Sequence, residues 1–115
     1  MKDQFEGNML RIHFGEGDKW GNKPLYEAIV AKCKELGMAG AIVYRGIEGY
    51  GSSARIRHRR TLSRDAPIML SIIDTKEQIA KLLPHLDEMV EEGLIAMSDV
   101  EVIRYIPQEG VRPKG

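Results

Sequence analysis

Between Arg45 and Arg60 the chain reads RGIEGYGSSARIRHRR. Gly46, Gly49 and Gly51 come first, then Arg55, Arg57, Arg59 and Arg60, with His58 among them. Arg64 follows closely. Guanidinium groups take phosphate oxygens bidentately, and glycine lets backbone N–H groups close on an anion. The order fits a phosphate cradle, a nucleic-acid arm or the solvated tip of a hairpin. Any one arginine here reads as a solvated tip residue. The segment as a whole, 46–65, runs to about twenty residues without apolar periodicity, and loops of that length are usually functional or disordered.

A second polar stretch, GEGDKWGNK, holds Glu16, Asp18, Trp20 and Lys23. Two carboxylates two residues apart can pair as acid and base, or simply structure or solvate their loop. Trp20 can stack on a base, or anchor the loop or a subunit interface. The histidines His13, His58 and His85 have no partner four residues away and no neighbouring cysteine, so no diagnostic metal spacing appears. Cys33 falls on the apolar stripe of a helix and reads as a structural thiol. GEGDKWG and GIEGYG lack the spacing and the strand–helix context of a dinucleotide fingerprint, and there is no P-loop. No catalytic residue is assigned, and an enzyme is not expected.

The 115 residues suit one domain with a real core. Seventeen basic and seventeen acidic residues cancel, which argues against general nucleic-acid binding, since that wants a basic domain. The single cysteine cannot form an intrachain disulfide and fits a reducing compartment. The opening MKDQFEGN has no apolar segment, so no signal peptide is expected and the location is read as cytoplasmic. The tail from Pro107 is rich in Pro and Gly and is expected to be loose.

The elements that must position these groups follow from periodicity. MLRIHF (9–14) alternates as a strand. Pro24 suits a first helical position, with Asn22 or Lys23 near the cap. Leu25, Ile29, Cys33 and Leu36 make a helical stripe that Gly37 ends. AIVYR (41–45) and IMLSII (68–73) are strands. Asp74 and Glu77 form a capping box for a second helix, in which Pro84 introduces a kink and which Gly93 ends. A last strand runs near 100–106. The order β-α-β-β-α-β gives a ferredoxin-like α+β sandwich: a four-stranded antiparallel sheet with two helices on one face. In that topology three connections meet at one end: 15–23, 46–65 and 91–99. A site is expected there.

With these elements placed, GMAGAIVYRGIEGYG (37–51), the strand IMLSII, the helix from Thr75 and DVEVIRY (99–105) resemble the PII-type signalling proteins. Together with GEGDKWGNKPL, RHRRTLSRDAP and LPHLDEMVEEGLI, the chain is similar above all to a prokaryotic family of short PII-like chains, domain of unknown function 190. The resemblance covers roughly 8–106. It implies a trimer, an adenine nucleotide in the clefts between subunits, and a mobile loop that engages a regulated transporter or enzyme. It also implies that Gly49, Tyr50 and Gly51 form the loop base near the nucleotide and that Arg104 assists with phosphates. The PII loop before the last strand is rich in glycine and lysine, whereas here EEGLIAMSD has only Gly93 and no lysine. Arg45, Arg57, Arg59 or Lys23 must then supply the missing cation.

Three functions remain open at this point. The first is a trimeric PII-like regulator that binds a small anion such as an adenine nucleotide. The second is a metal- or stress-response trimer resembling copper-tolerance proteins of the same fold, using Glu16, Asp18 or His58. The third is an RNA-binding module, disfavoured because Met9, Arg11 and His13 build no base-stacking face. The uncovered second face of the sheet adds an argument for oligomerisation.

Overall fold

Leu10, Ile12 and Phe14 alternate with Arg11 and His13 along β1 (Lys2–Gly15), which sends the three apolar side chains into the core. The computed structural model describes residues 1–50, 56–58 and 66–107, with residues 50 and 56–58 described through their backbone alone. Two short strands follow, β2 (Lys19–Trp20) and β3 (Lys23–Pro24), then α1 (Leu25–Glu35), β4 (Ala41–Arg45), β5 (Glu48–Tyr50), β6 (Ile56–His58), β7 (Pro67–Thr75), α2 (Lys76–Met89) and β8 (Leu94–Tyr105). The main sheet has the order β4-β7-β1-β8, antiparallel throughout. This is the ferredoxin-like α+β arrangement expected from the element order.

The helices cover one face. Leu25, Ile29 and Cys33 of α1 and Ile79, Leu82, Leu86 and Met89 of α2 meet Leu10, Ile12, Ile68, Leu70 and Ile72 of the sheet. Burying each large aliphatic side chain contributes about 1.5–3 kcal/mol. The other face is open, and it carries exposed Ile42, Tyr44, Ile73 and Leu94. None of the described helices is long and apolar enough to cross a membrane.

Several boundaries differ from the sequence-based expectation. β1 starts seven residues earlier than Met9, and Lys2–Glu6 pair with Glu101–Tyr105 as a two-stranded arm beyond the sheet. Pro24 is the N-cap of α1 rather than its first residue, and no side chain caps there; the Leu25 N–H donates instead to the Asp18 carbonyl at 2.8 Å. Gly37 does end α1, at φ +73°. The cap of α2 is Thr75, whose hydroxyl accepts from Gln78 N–H at 3.2 Å, not Asp74. Asp74 is drawn away by a distant donor: its carboxylate is buried and accepts from the N–H groups of Ala39 and Thr75, both at 2.7 Å. Pro84 lies inside α2, which runs unbroken to Met89, and Gly93 comes four residues after that end. The expected loop 91–99 is strand from Leu94 onward, because Ile95 and Met97 pair with β1.

Candidate functional site at the loop end of the sheet

β1 and β4 are parallel to each other through β7, so both end at the same edge, and β7 and β8 both begin there. The expected convergence of three connections is found. Glu16 N–H donates to Ala66 O at 2.8 Å, and Gly46 N–H donates to Pro67 O at 2.7 Å. A Cβ on Gly46 would stand 2.8 Å from Pro67 Cγ, and one on Gly93 would stand 2.4 Å from His13 O. Gly93 is therefore required not as a helix stop but because β8 enters hard against β1.

Two of the charged residues expected at this edge, Glu16 and Arg45, turn to each other. Arg45 donates from Nε at 2.8 Å and from Nη2 at 2.6 Å to the same Oε2 of Glu16. The Glu16 side chain is only 9% exposed and that of Arg45 is 38% exposed. Asp18 turns its carboxylate back on its own loop, where Oδ2 accepts from Gly15 N–H at 3.2 Å. Gly49 lies on β5, where a Cβ would stand 3.6 Å from Pro67 Cβ and Cγ, in ordinary contact. Tyr50 and His58 lie on the β5–β6 hairpin, in which Glu48 faces His58 and Tyr50 faces Ile56. Gly51 and Arg59, with Arg55, Arg60 and Arg64, lie outside the described residues.

Three expected site residues make no hydrogen bond or ion pair with Glu16 or Arg45 among the described residues, and each is engaged differently. Trp20 and Lys23 face each other across the β2–β3 hairpin and turn toward α1. Arg104 sits at the opposite end of β8 from Gly93, roughly 36 Å away along the chain at about 3.3 Å per residue. There its Nη2 donates to Asp3 Oδ2 at 2.9 Å and its guanidinium lies 5.5 Å from the Phe5 ring centroid. Asp3 and Phe5 were missed in the sequence. The signal was an alternation, KDQFEG, with only one apolar residue in it. Cys33 is buried, which pushes its thiol up to about 11 and keeps it protonated at neutral pH, as a structural thiol should be. Among the described residues no group of three or more His, Cys, Asp or Glu is placed to hold a metal ion.

A four-stranded antiparallel sheet in the order β4-β7-β1-β8, with the β4 exit and the start of β8 at one end, is the fold found in solved PII-like proteins. CPII from Thiomonas intermedia K12, bound to ADP and bicarbonate, aligns with a TM-score of 0.65 at 20% identity over 87% of this chain and 91% of its own. A second structure of CPII, described as a nitrogen regulatory PII-like protein bound to ADP, AMP and bicarbonate, aligns with a TM-score of 0.65 at 17% identity over 87% and 98%. The chain belongs to the DUF190 family, described as an uncharacterized ACR, whose model matches residues 7–102. It is 37% identical over 97 residues to a UPF0166 protein of Aquifex aeolicus (strain VF5), covering 83% of this chain and 91% of that one. It is 35% identical over 102 residues to a UPF0166 protein of Methanocaldococcus jannaschii, covering 86% and 94%.

Proposed function

We propose that the chain is a PII-like regulator, not an enzyme, that assembles as a homotrimer and binds an adenine nucleotide in the clefts between subunits. Segment 46–65 then changes its presentation to a regulated protein such as a transporter or enzyme. One observation carries the reading. The loop-end groups and Arg104 occupy opposite ends of one strand, so a single copy cannot place them on one ligand. Two copies can, and the open sheet face, with Ile42, Tyr44, Ile73 and Leu94 exposed, is where a second copy would bury apolar area. The ADP-bound state of CPII supports the choice of ligand. The metal-response alternative gains no support from Glu16 and Asp18, which are engaged with Arg45 and the Gly15 N–H.

Two measurements test this together. Sedimentation of the full chain should give three times its 13.0 kDa mass. Calorimetric titration with ADP should show saturable binding that Arg104→Ala weakens by about tenfold, the loss of one charge-assisted phosphate contact. A monomer, or ADP binding indifferent to Arg104, would sink the proposal.

A further inference from the structure

The flank of α1 beside Met89, at the end of α2, carries a groove that shares no residue with the loop-end cluster or with Arg104. Its volume is about 540 Å³, within the range of small-molecule sites. Trp20 and Lys23 form one wall, Ala28 and Ala31 are on the helix side, and Lys32 and Glu35 close it along the helix.

Each part has a local cause. Gly21 takes φ +63°, which permits a two-residue turn between β2 and β3. Trp20 and Lys23 are directly paired in that hairpin, so both side chains rise from the same face. Ala28, Ala31 and Glu35 recur at three- and four-residue spacing and so make one stripe of α1. Two methyl side chains on that stripe leave open the space a larger residue would fill. The indole remains 43% exposed, on the helix side and away from the open sheet face where a second copy would pack.

The charges are unevenly committed. Lys32 Nζ is held at 3.0 Å by Glu35. The Lys23 side chain has no hydrogen bond or ion pair among the described residues. The groove therefore presents a flat aromatic surface beside an uncommitted ammonium, with local charge +1 from two lysines and one glutamate. An indole face takes another ring by offset stacking, and a free ammonium takes a phosphate or carboxylate oxygen. We propose that this groove binds a small planar aromatic anion, ring on Trp20 and anionic group on Lys23, independently of the nucleotide site between subunits.

Trp20 is the only tryptophan, so its fluorescence reports on this groove alone. Flavin mononucleotide serves as the probe, and riboflavin, the same ring without phosphate, as its control. Quenching of Trp20 by flavin mononucleotide should saturate with Kd below roughly 1 mM, and riboflavin should bind about tenfold more weakly. Lys23→Glu should weaken binding by at least the same factor. Ala31→Phe, at an exposed helix position, should abolish it by filling the groove while leaving the melting temperature near that of the parent chain. Arg104→Ala should leave it unchanged, even if ADP binding is lost. Unsaturable quenching, equal affinity for riboflavin, undiminished binding in both Lys23→Glu and Ala31→Phe, or loss with Arg104→Ala would each overturn the assignment.

Discussion

The two ends of β1 each hold an arginine–carboxylate pair, and the pairs differ in what they can give up. At the loop end, Glu16 is 9% exposed and one of its oxygens takes two donors of Arg45. At the arm end, Asp3 and Arg104 are 41% and 42% exposed and share a single contact at 2.9 Å, beside the Phe5 ring. A nearly buried carboxylate left without its cation is costly. A half-exposed pair is worth about 0–1 kcal/mol. Arg45, which the sequence nominates as a ligand cation, is thereby committed to the fold. Arg104 can exchange Asp3 for a ligand oxygen at little cost. Its Nε is buried with no acceptor among the described residues.

The largest expected effect tests how tightly the loop end is built. Gly93→Ala places a Cβ 2.4 Å from the His13 carbonyl oxygen at φ +156°, so backbone must move. Overpacking and backbone strain together should cost about 4 kcal/mol, or on the order of 20 °C in melting temperature, read by thermal denaturation. An unchanged melt would mean the β1–β8 junction is looser than the comparison requires.

The next effect is an asymmetry. Arg45→Ala strands the less exposed partner, Glu16, whereas Glu16→Ala strands an arginine that water can reach. Arg45→Ala should cost about 2–3 kcal/mol and Glu16→Ala about 1–2 kcal/mol, both read from urea midpoints. Equal costs, or costs as small as those at the arm end, would erase the distinction between the two pairs.

What the sequence made legible divides along the same line. The stripe Leu25, Ile29, Cys33 and the strand Ala41–Arg45 are read correctly because burial on one face imposes a period. From those elements, topology alone brings Glu16 and Arg45 to one edge. That they would neutralise each other was not legible, since the pairing spans 29 positions and depends on where two loops stop. The arm was missed because Phe5 is the only apolar residue between Lys2 and Glu6, too little to mark a strand. The start of β8 was missed for the opposite reason: Leu94, Ile95 and Met97 are exposed apolar residues spread over both faces of an edge strand, and they read as loop. Thr75 and Asp74 are adjacent oxygen acceptors, and only the long-range claim of Ala39 on Asp74 decides which of them caps α2.

The smallest stability effect is the most informative about function. Asp3→Ala removes one surface contact, so the melting temperature should move by no more than the equivalent of about 0.5 kcal/mol. The same substitution releases the Arg104 guanidinium, which keeps the Phe5 ring beside it as a positioning surface. If Arg104 contacts phosphate in the assembled protein, Asp3 competes with the ligand, and its removal should tighten ADP binding severalfold in calorimetry, more at low ionic strength than at high. Phe5→Ala, which removes the ring but leaves the pair, should weaken binding instead by freeing the guanidinium to wander. Opposite signs from two neighbours of one arginine, at nearly constant stability, cannot arise from a general loosening of the arm. Same-sign changes, or none, would make Arg104 a structural residue of the arm and remove the contact on which the proposed inter-subunit site rests.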